Sequence, residues 1–348
     1  MNAPRRTKPN GRRAWIVAAL AMLAVAAYFW SAPEDRPPAD KITVTLADFA
    51  GDAPSIIAYT QGFFREQGLE VAFKRNSTGV ESLKNLLEGK ADIATASEYP
   101  VVRAALDRSR FSPVEGSGFL VIGDMIYSNR SQRVIVRSDR KIRTAADLKG
   151  RRVGIPEGST SIDYYLGNML RQHGIAEADI KAISMALASL VPALEKGDID
   201  AFIAWEPLVS EAKARLGERA LVFPGNPLYS TSWLIVVREE LAKRRPELLP
   251  KFLQAIKKAE RFMQAHPDQA TEAVSRHTGI DRQIVENTWK SLDFRLSLSQ
   301  ALIAAMEDEA KWLISTRRTD AQVVPDFLDY VRADPLRSVS PATVTIIK

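Results

Sequence analysis

Short apolar runs and longer amphipathic stretches alternate along most of this chain. Ile42-Thr43-Val44-Thr45-Leu46 alternates apolar and polar positions, the period of a half-buried strand, and Ser55 to Glu66 repeats its apolar residues at helical spacing. Leu69 to Phe73 reads as a second strand, a helix follows from about Gly79 to Leu87, and Asp92-Ile93-Ala94-Thr95-Ala96 is a third strand. The pattern then restarts. Arg133 to Arg137 is extended, Arg152 to Ile155 reads as a buried strand, and Thr160 to His173 as a helix. Ile180 to Met185 and Ala201 to Ala204 are strands around a short helix from Ser189 to Glu195, and Trp233 to Val237 is a last extended run. From Glu239 onward the pattern predicts helix almost throughout, including Pro246 to His266 and Gln300 to Ser315. Strands alternating with helices predict βαβ units around largely parallel sheets, so the expected class is α/β, in two lobes with a helical C-terminal region.

Two segments echo each other. Leu86 to Pro100 reads LLEGKADIATASEYP, and Leu194 to Pro207 reads LEKGDIDAFIAWEP. Placing Gly89 on Gly197 also places Asp92 on Asp200, Ala96 on Ala204 and Glu98 on Glu206. In each copy a helix stops at Gly, Asp leads into a buried strand, and Glu follows the carboxyl end of that strand. Ligands of open parallel sheets bind outside those carboxyl ends. Two related lobes would therefore bring Glu98 and Glu206 to one cleft from opposite sides, with Ser97 and Trp205 beside them. Trp205 offers a flat apolar wall and an indole donor. The competing roles are structural: each Glu stabilises the first turn of the helix it opens, and Trp205 packs in a core. Two carboxylates in the cleft favour a ligand with amine, ring N–H or hydroxyl donors and disfavour a bare dianion. The cleft segments are also poor in Lys and Arg, which argues against a sulfonate.

Composition changes this picture little. The 348 residues suffice for one large domain or two medium ones, and 46% hydrophobic with 26% charged residues is ordinary for a globular protein. The net charge of +6 is unevenly placed, because Arg5, Arg6, Lys8, Arg12 and Arg13 precede the first acidic residue, Glu34. The remainder is close to neutral, which excludes a nucleic-acid stripe. Those basic residues lead into Trp15 to Trp30, an apolar run of small residues, and then into the Pro-rich Pro33 to Pro38. Positive flank, apolar core and small residues make an export signal. Ala24-Val25-Ala26 offers a cleavage site, whereas Tyr28-Phe29-Trp30 resembles the aromatic belt of an uncleaved anchor. Residues 1–32 are therefore expected to be a signal peptide or N-terminal membrane anchor, and 33–40 a linker. With no cysteine there is no disulfide, thiol nucleophile or lipid-attachment site.

The stretch GRRVGIPEGSTSIDYYL, residues 150–166, joins a buried strand to a helix through Pro156-Glu157-Gly158. It lacks the Lys of a nucleotide P-loop and the Gly-x-Ser-x-Gly of a nucleophile elbow. What remains at Gly158, Ser159 and Thr160 is a helix N-terminus with hydroxyls, suited to an acceptor or anionic ligand group or to capping its own helix. His173, His266 and His277 are scattered through helical stretches without a second ligand at metal spacing. No catalytic, metal or cofactor residues are expected.

These segments resemble the periplasmic substrate-binding proteins of the nitrate/sulfonate/taurine family of ABC importers, and the related pyrimidine-precursor binders. The matching pieces are Gln61 to Val71, Glu88 to Ala94, Ala146 to Gly154, Gly197-Asp198-Ile199-Asp200-Ala201 and Trp205-Glu206-Pro207, in family order between about residues 41 and 238. The resemblance implies a type II periplasmic-binding-protein fold, two α/β lobes with a ligand cleft between them. Lobe I would comprise 41–130 and 235–348, and lobe II 131–234, with crossings near Tyr127 to Arg137 and Tyr229 to Val236. The family uses the turn after the first strand to touch ligand, which implicates Asp48 and Phe49. Asp124, Thr231 and Ser232 lie near the crossings and are expected contacts. The implied function is an exported solute-binding protein that closes on a small polar organic solute and delivers it to an ABC permease in the inner membrane, without catalysis. It would be periplasmic, either soluble after cleavage or tethered by residues 15–30, its only membrane contact. The alternatives are a membrane-tethered ligand sensor and a small-molecule lyase on the same fold.

Overall fold

The computed structural model describes residues 39–47, 49–108, 118–157, 160–226 and 229–347. The chain divides into Met1–Ala39 and Asp40–Lys348, and the second unit carries both sheets. The apolar run 15–30 and three expected contacts, Asp48, Gly158 and Ser159, lie outside the described residues.

Among the described residues eleven strands form two sheets. In chain order they are β1 (Asp40–Ala47), β2 (Leu69–Asn76), β3 (Ile93–Ser97), β4 (Phe119–Ser128), β5 (Arg133–Arg137) and β6 (Arg152–Pro156). After these come β7 (Lys181–Met185), β8 (Ala201–Ala204), β9 (Ala220–Val222), β10 (Thr231–Arg238) and β11 (Asp293–Ser297). The first sheet runs β11-β4-β10-β3-β1-β2, the second β7-β6-β8-β5-β9. Central strands are buried on both faces: every residue of β3 and β8 is buried, as is β1 from Val44 to Ala47. Helices cover both sides of such parallel strands, so their sequence is continuously apolar rather than alternating. The edge strand β2 instead alternates, with Leu69 and Val71 buried and Glu70 and Ala72 exposed.

The two sheets repeat one topology. β1 is parallel to β2 and β3, with β10 antiparallel beyond β3; β6 is parallel to β7 and β8, with β5 antiparallel beyond β8. The sequence echo falls on this equivalence. Asp92 accepts the Thr43 N–H at 2.9 Å and its own N–H donates to the Thr43 carbonyl at 2.8 Å. Asp200 does the same with Arg152, at 3.0 and 2.9 Å. Each carboxylate also takes a guanidinium at 2.8 Å, from Arg238 and Arg152 respectively. Gly89 and Gly197 stand at φ +74° and +84°, the left-handed turn that ends the preceding helix.

The chain leaves the first sheet after Ser128, enters the second at Arg133, and returns between Val222 and Thr231. Two expectations need correction. The helix from Ser55 to Glu66 is two helices, Ala53–Thr60 and Phe63–Glu66, broken where Gly62 turns to φ +77°. The C-terminal region is not helical throughout, because β11 pairs with β4 and closes that edge of the first sheet. Its helices pack on the first sheet's own: Leu248–Ala265 lies on Ala53–Thr60, and Gln300–Ser315 on Glu98–Leu106. Leu249, Phe252, Leu253, Ile256, Ala259 and Met263 form the buried stripe of Leu248–Ala265, and Phe252 stacks on Phe64 at 5.0 Å.

Candidate functional site

A small cavity of about 60 Å³ lies between the two sheets, where strand ends from both meet. The first sheet contributes Ala47 at the end of β1, Phe49 after it, Ser97 at the end of β3, and Thr231 and Trp233 on β10. Trp205, following β8, and Ser161, in the first turn of helix Thr160–Gln172, come from the second. Ser131 and Gln132 enter from the outward crossing, and Ser77, Thr78 and Gly79 from the start of helix Gly79–Leu87. Ala47, Ser77 to Gly79, Ser97 and Trp205 thus stand at carboxyl ends of parallel strands or in the helix starts that follow them, whereas Thr231 and Trp233 come from the antiparallel β10.

Local sequence explains how three helix N-termini converge there. Thr78 caps Gly79–Leu87 by accepting the Glu81 N–H, while Glu81 reaches back to accept the Ser77 N–H at 2.9 Å, one residue before the cap. Gly79 permits the close approach: a Cβ there would stand 3.0 Å from Cα of Ala96 and 3.2 Å from the Trp233 ring. Ser97 precedes helix Glu98–Leu106 at its N-cap, and its side chain caps nothing. Among the described residues the hydroxyls of Ser77, Ser97 and Ser161 and the Trp205 indole N–H line the cavity without a hydrogen bond to another side chain or to the backbone. Ser131, Thr231 and Gln132 bond one another: the Ser131 hydroxyl lies 2.9 Å from that of Thr231, which donates to Gln132 Oε1 at 2.7 Å.

Three aromatic rings, Phe49, Trp205 and Trp233, supply the apolar wall, with Phe49 and Trp233 4.8 Å apart. Trp233 is held from two sides. Its indole N–H donates to Asp52 Oδ1 and its backbone N–H to Asp124 Oδ1, both at 2.9 Å. Asp52 also accepts the Ala47 N–H, so it ties the end of β1 to the indole.

Of the expected contacts with described side chains, Phe49, Ser97 and Trp205 line the cavity, and the helix from Thr160 starts beside it. Glu98, Glu206, Asp124 and Ser232 are corrections. Glu98 is 1% exposed and turns to the return crossing, accepting the Tyr229 hydroxyl at 3.2 Å and the Ser232 N–H at 2.8 Å. Burial raises its pKa to about 7. Glu206 accepts the Ser210 N–H at 3.0 Å and serves the start of helix Leu208–Leu216. Neither carboxylate is among the cavity's lining residues; each accepts a backbone amide nearer to hand. Asp124 is buried within the sheet between β4 and β10, bonded to Trp233 and Ser232, and burial raises its pKa to about 8. Ser232 alternates to the face opposite its cavity-lining neighbours. Thr231, read from the sequence as a contact together with Ser232, lines the cavity; Ser77 to Gly79, Ser131, Gln132, Ser161 and Trp233 were missed. Thr78-x-x-Glu81 carried a capping-box signal; Gln132 carried none.

Among the described residues no Lys, Arg, Asp or Glu lines the cavity, and no three His, Cys, Asp or Glu could hold a metal ion. Size alone does not mark the site. An open groove of about 580 Å³ runs along helix Leu248–Ala265, past Lys257, Lys258, Arg261 and His266, but no strand end reaches it.

The family described as "NMT1/THI5 like" matches residues 51–270. A Brucella abortus protein provisionally named a binding protein is 26% identical over 262 residues, 73% of this chain and 77% of the relative. A Bacillus subtilis protein provisionally named as binding aliphatic sulfonates is 25% identical over 284 residues, 80% and 82% of the two chains. In three dimensions, the periplasmic aliphatic sulphonate binding protein SsuA of Escherichia coli superposes with a TM-score of 0.71 over 84% of this chain and 97% of its own, at 18% identity. The fold is thus that of the SsuA-type periplasmic binding proteins.

Proposed function

We propose that this chain, which belongs to the NMT1/THI5-like family, is an exported solute-binding protein that captures a small organic sulfonate between its lobes. One observation supports this most: three helix N-termini and several hydroxyls converge on a cavity whose described lining carries no ionic side chain. Backbone N–H groups at helix starts favour negative charge, and hydroxyls satisfy oxyanion lone pairs without a bulky cation. Of the two sequence arguments against a sulfonate, the carboxylate one loses force because Glu98 and Glu206 bond backbone amides, and the scarcity of Lys and Arg is met here by backbone and hydroxyl donors. Phe49, Trp205 and Trp233 would cover a short apolar tail. The sulfonates named for relatives fit this chemistry. Such a protein would work outside the cytoplasm, release its solute unchanged and pass it to an ABC permease. No metal or cofactor enters this reading.

Calorimetric titration with ethanesulfonate and taurine tests the ligand class. Each should bind, and Ser97→Ala and Ser161→Ala should each weaken binding about tenfold, the worth of one hydrogen bond to a charged group. Binding of a neutral or cationic solute with no response to either sulfonate would overturn the reading. Mass spectrometry of the released ligand should return it unaltered; turnover would move the protein to an enzyme class.

A further inference from the structure

Directly behind the cavity lies a group of buried carboxylates that the proposed binding reaction does not use. Glu98 accepts the Ser232 N–H and Asp124 accepts the Trp233 N–H, so two carboxylates hold successive amides of β10 where its register with β4 shifts. That segment presents Thr231 and the Trp233 ring to the cavity, and Ser97, the residue before Glu98, lines it too. Glu309 reaches the group from helix Gln300–Ser315; it is 1% exposed, feels the charge of Glu98, and its Oε2 has no hydrogen-bond partner among the described residues.

We infer that Glu98, Asp124 and Glu309 form a proton-linked base beneath the ligand cavity, so that binding an anion draws a proton into the protein. The inference rests on the anionic-ligand reading above. The cations nearest the group among the described residues are Arg103 and Arg318, and Arg318 is already paired with Asp163 and Glu177. Tyr229 faces Glu98 from the return crossing, and Asp52 holds the Trp233 indole from the loop after β1. Helix Thr160–Gln172 brings Asp163, Tyr164 and Tyr165 to the neighbourhood. Arg103, on the helix that Glu98 opens, is engaged with Asp107 and the Arg318 carbonyl. Burial is the leading cause that raises all three carboxyls, to about 7 for Glu98, about 8 for Asp124 and well above the usual range for Glu309.

The sign follows from linkage. An anion in the cavity disfavours the ionised form of a nearby carboxyl and raises its pKa further. The bound state then holds more protons than the free state between the two values, so affinity is highest at low pH and falls as pH rises through about 7 to 8. A one-unit rise in pKa corresponds to about a tenfold loss of affinity across that window.

Calorimetry with ethanesulfonate at pH 7, in two buffers of different ionisation enthalpy, reads the proton directly. The wild type should take up a fraction of a proton per ligand, and affinity should fall about three- to tenfold from pH 6 to pH 8.5. Asp124→Asn and Glu309→Gln, near-isosteric and measured separately, should each reduce the uptake. A merely structural support would lower affinity in the variants without changing proton uptake. Ethanesulfonate binding with no proton uptake and a flat pH profile would overturn the inference alone. No binding at any pH would overturn the anion reading and this inference with it.

Discussion

Gly79 shows how much of the site depends on one absent methyl group. Its helix begins against β3 and the Trp233 ring, and an added Cβ would meet backbone at 3.0 Å. Backbone yields less readily than the tip of a side chain, so Gly79→Ala must shift either the helix start or the indole. Overpacking of this kind costs about 1–3 kcal/mol. We expect a drop of that size in urea unfolding and a larger proportional loss of ethanesulfonate affinity, because one of the three helix N-termini moves. An unchanged affinity would show that this helix start takes no part in binding. The same scale explains the fate of the glutamates. Glu98 and Glu206 were placed at strand ends by sequence, but the amides of Ser232 and Ser210 claim their oxygens.

At the scale of elements, each sheet begins its central pair with the same device. Asp92 and Asp200 each bridge the N–H of the neighbouring parallel strand and an arginine, and the Arg152 guanidinium holds the Asp200 carboxyl below the usual range. Asp92→Ala and Asp200→Ala should each cost about 1–3 kcal/mol, the penalty for stripping a partly buried amide and guanidinium of their acceptor. The two sites share no partner, so the double variant should show the sum within about 0.5 kcal/mol. Urea denaturation of the three variants measures this; strong non-additivity would mean that the sheets unfold through one shared contact network. That equivalence was legible in the sequence, since a Gly cap, a leading Asp and a buried strand are local signals. β11 was not. Asp293 to Ser297 sits among helical patterns, and it is a strand because β4 offers a free edge.

For the whole molecule, the contacts between lobes matter most. Helix Thr160–Gln172 of the second sheet packs against Glu98–Leu106 of the first, with Tyr164 5.3 Å from Trp312 and 6.0 Å from Tyr99. Arg318, stacked 4.8 Å from the Trp312 ring, reaches Asp163 and Glu177 across this junction. A two-lobed binder exchanges such contacts when it opens, and partly exposed ion pairs are worth about 0–1 kcal/mol. Arg318→Ala should therefore leave urea stability nearly unchanged while weakening ethanesulfonate binding by up to about fivefold, through a shift toward the open state. Small-angle scattering of the ligand-free variant should show a larger radius of gyration. An unaltered radius and affinity would remove Arg318 from the closing contacts.

The sequence by itself determined the α/β class, the alternation of strands and helices through the central part of both halves, and the kinship of those halves. Those follow from periodicity, caps and turns, which act over a few residues. It also placed Phe49, Ser97 and Trp205 at strand ends, because in parallel sheets the chain direction alone decides which end faces the cleft. Only the tertiary structure decided which side chains reach the cavity. Ser77, Gln132, Ser161 and Trp233 come from distant segments, and nothing local distinguishes them from ordinary surface or core positions. It also decided the charge of the site, because a carboxylate goes to the amide donors that folding brings within reach. Donor positions across 134 residues of chain, as from Glu98 to Ser232, are set by packing and not by pattern.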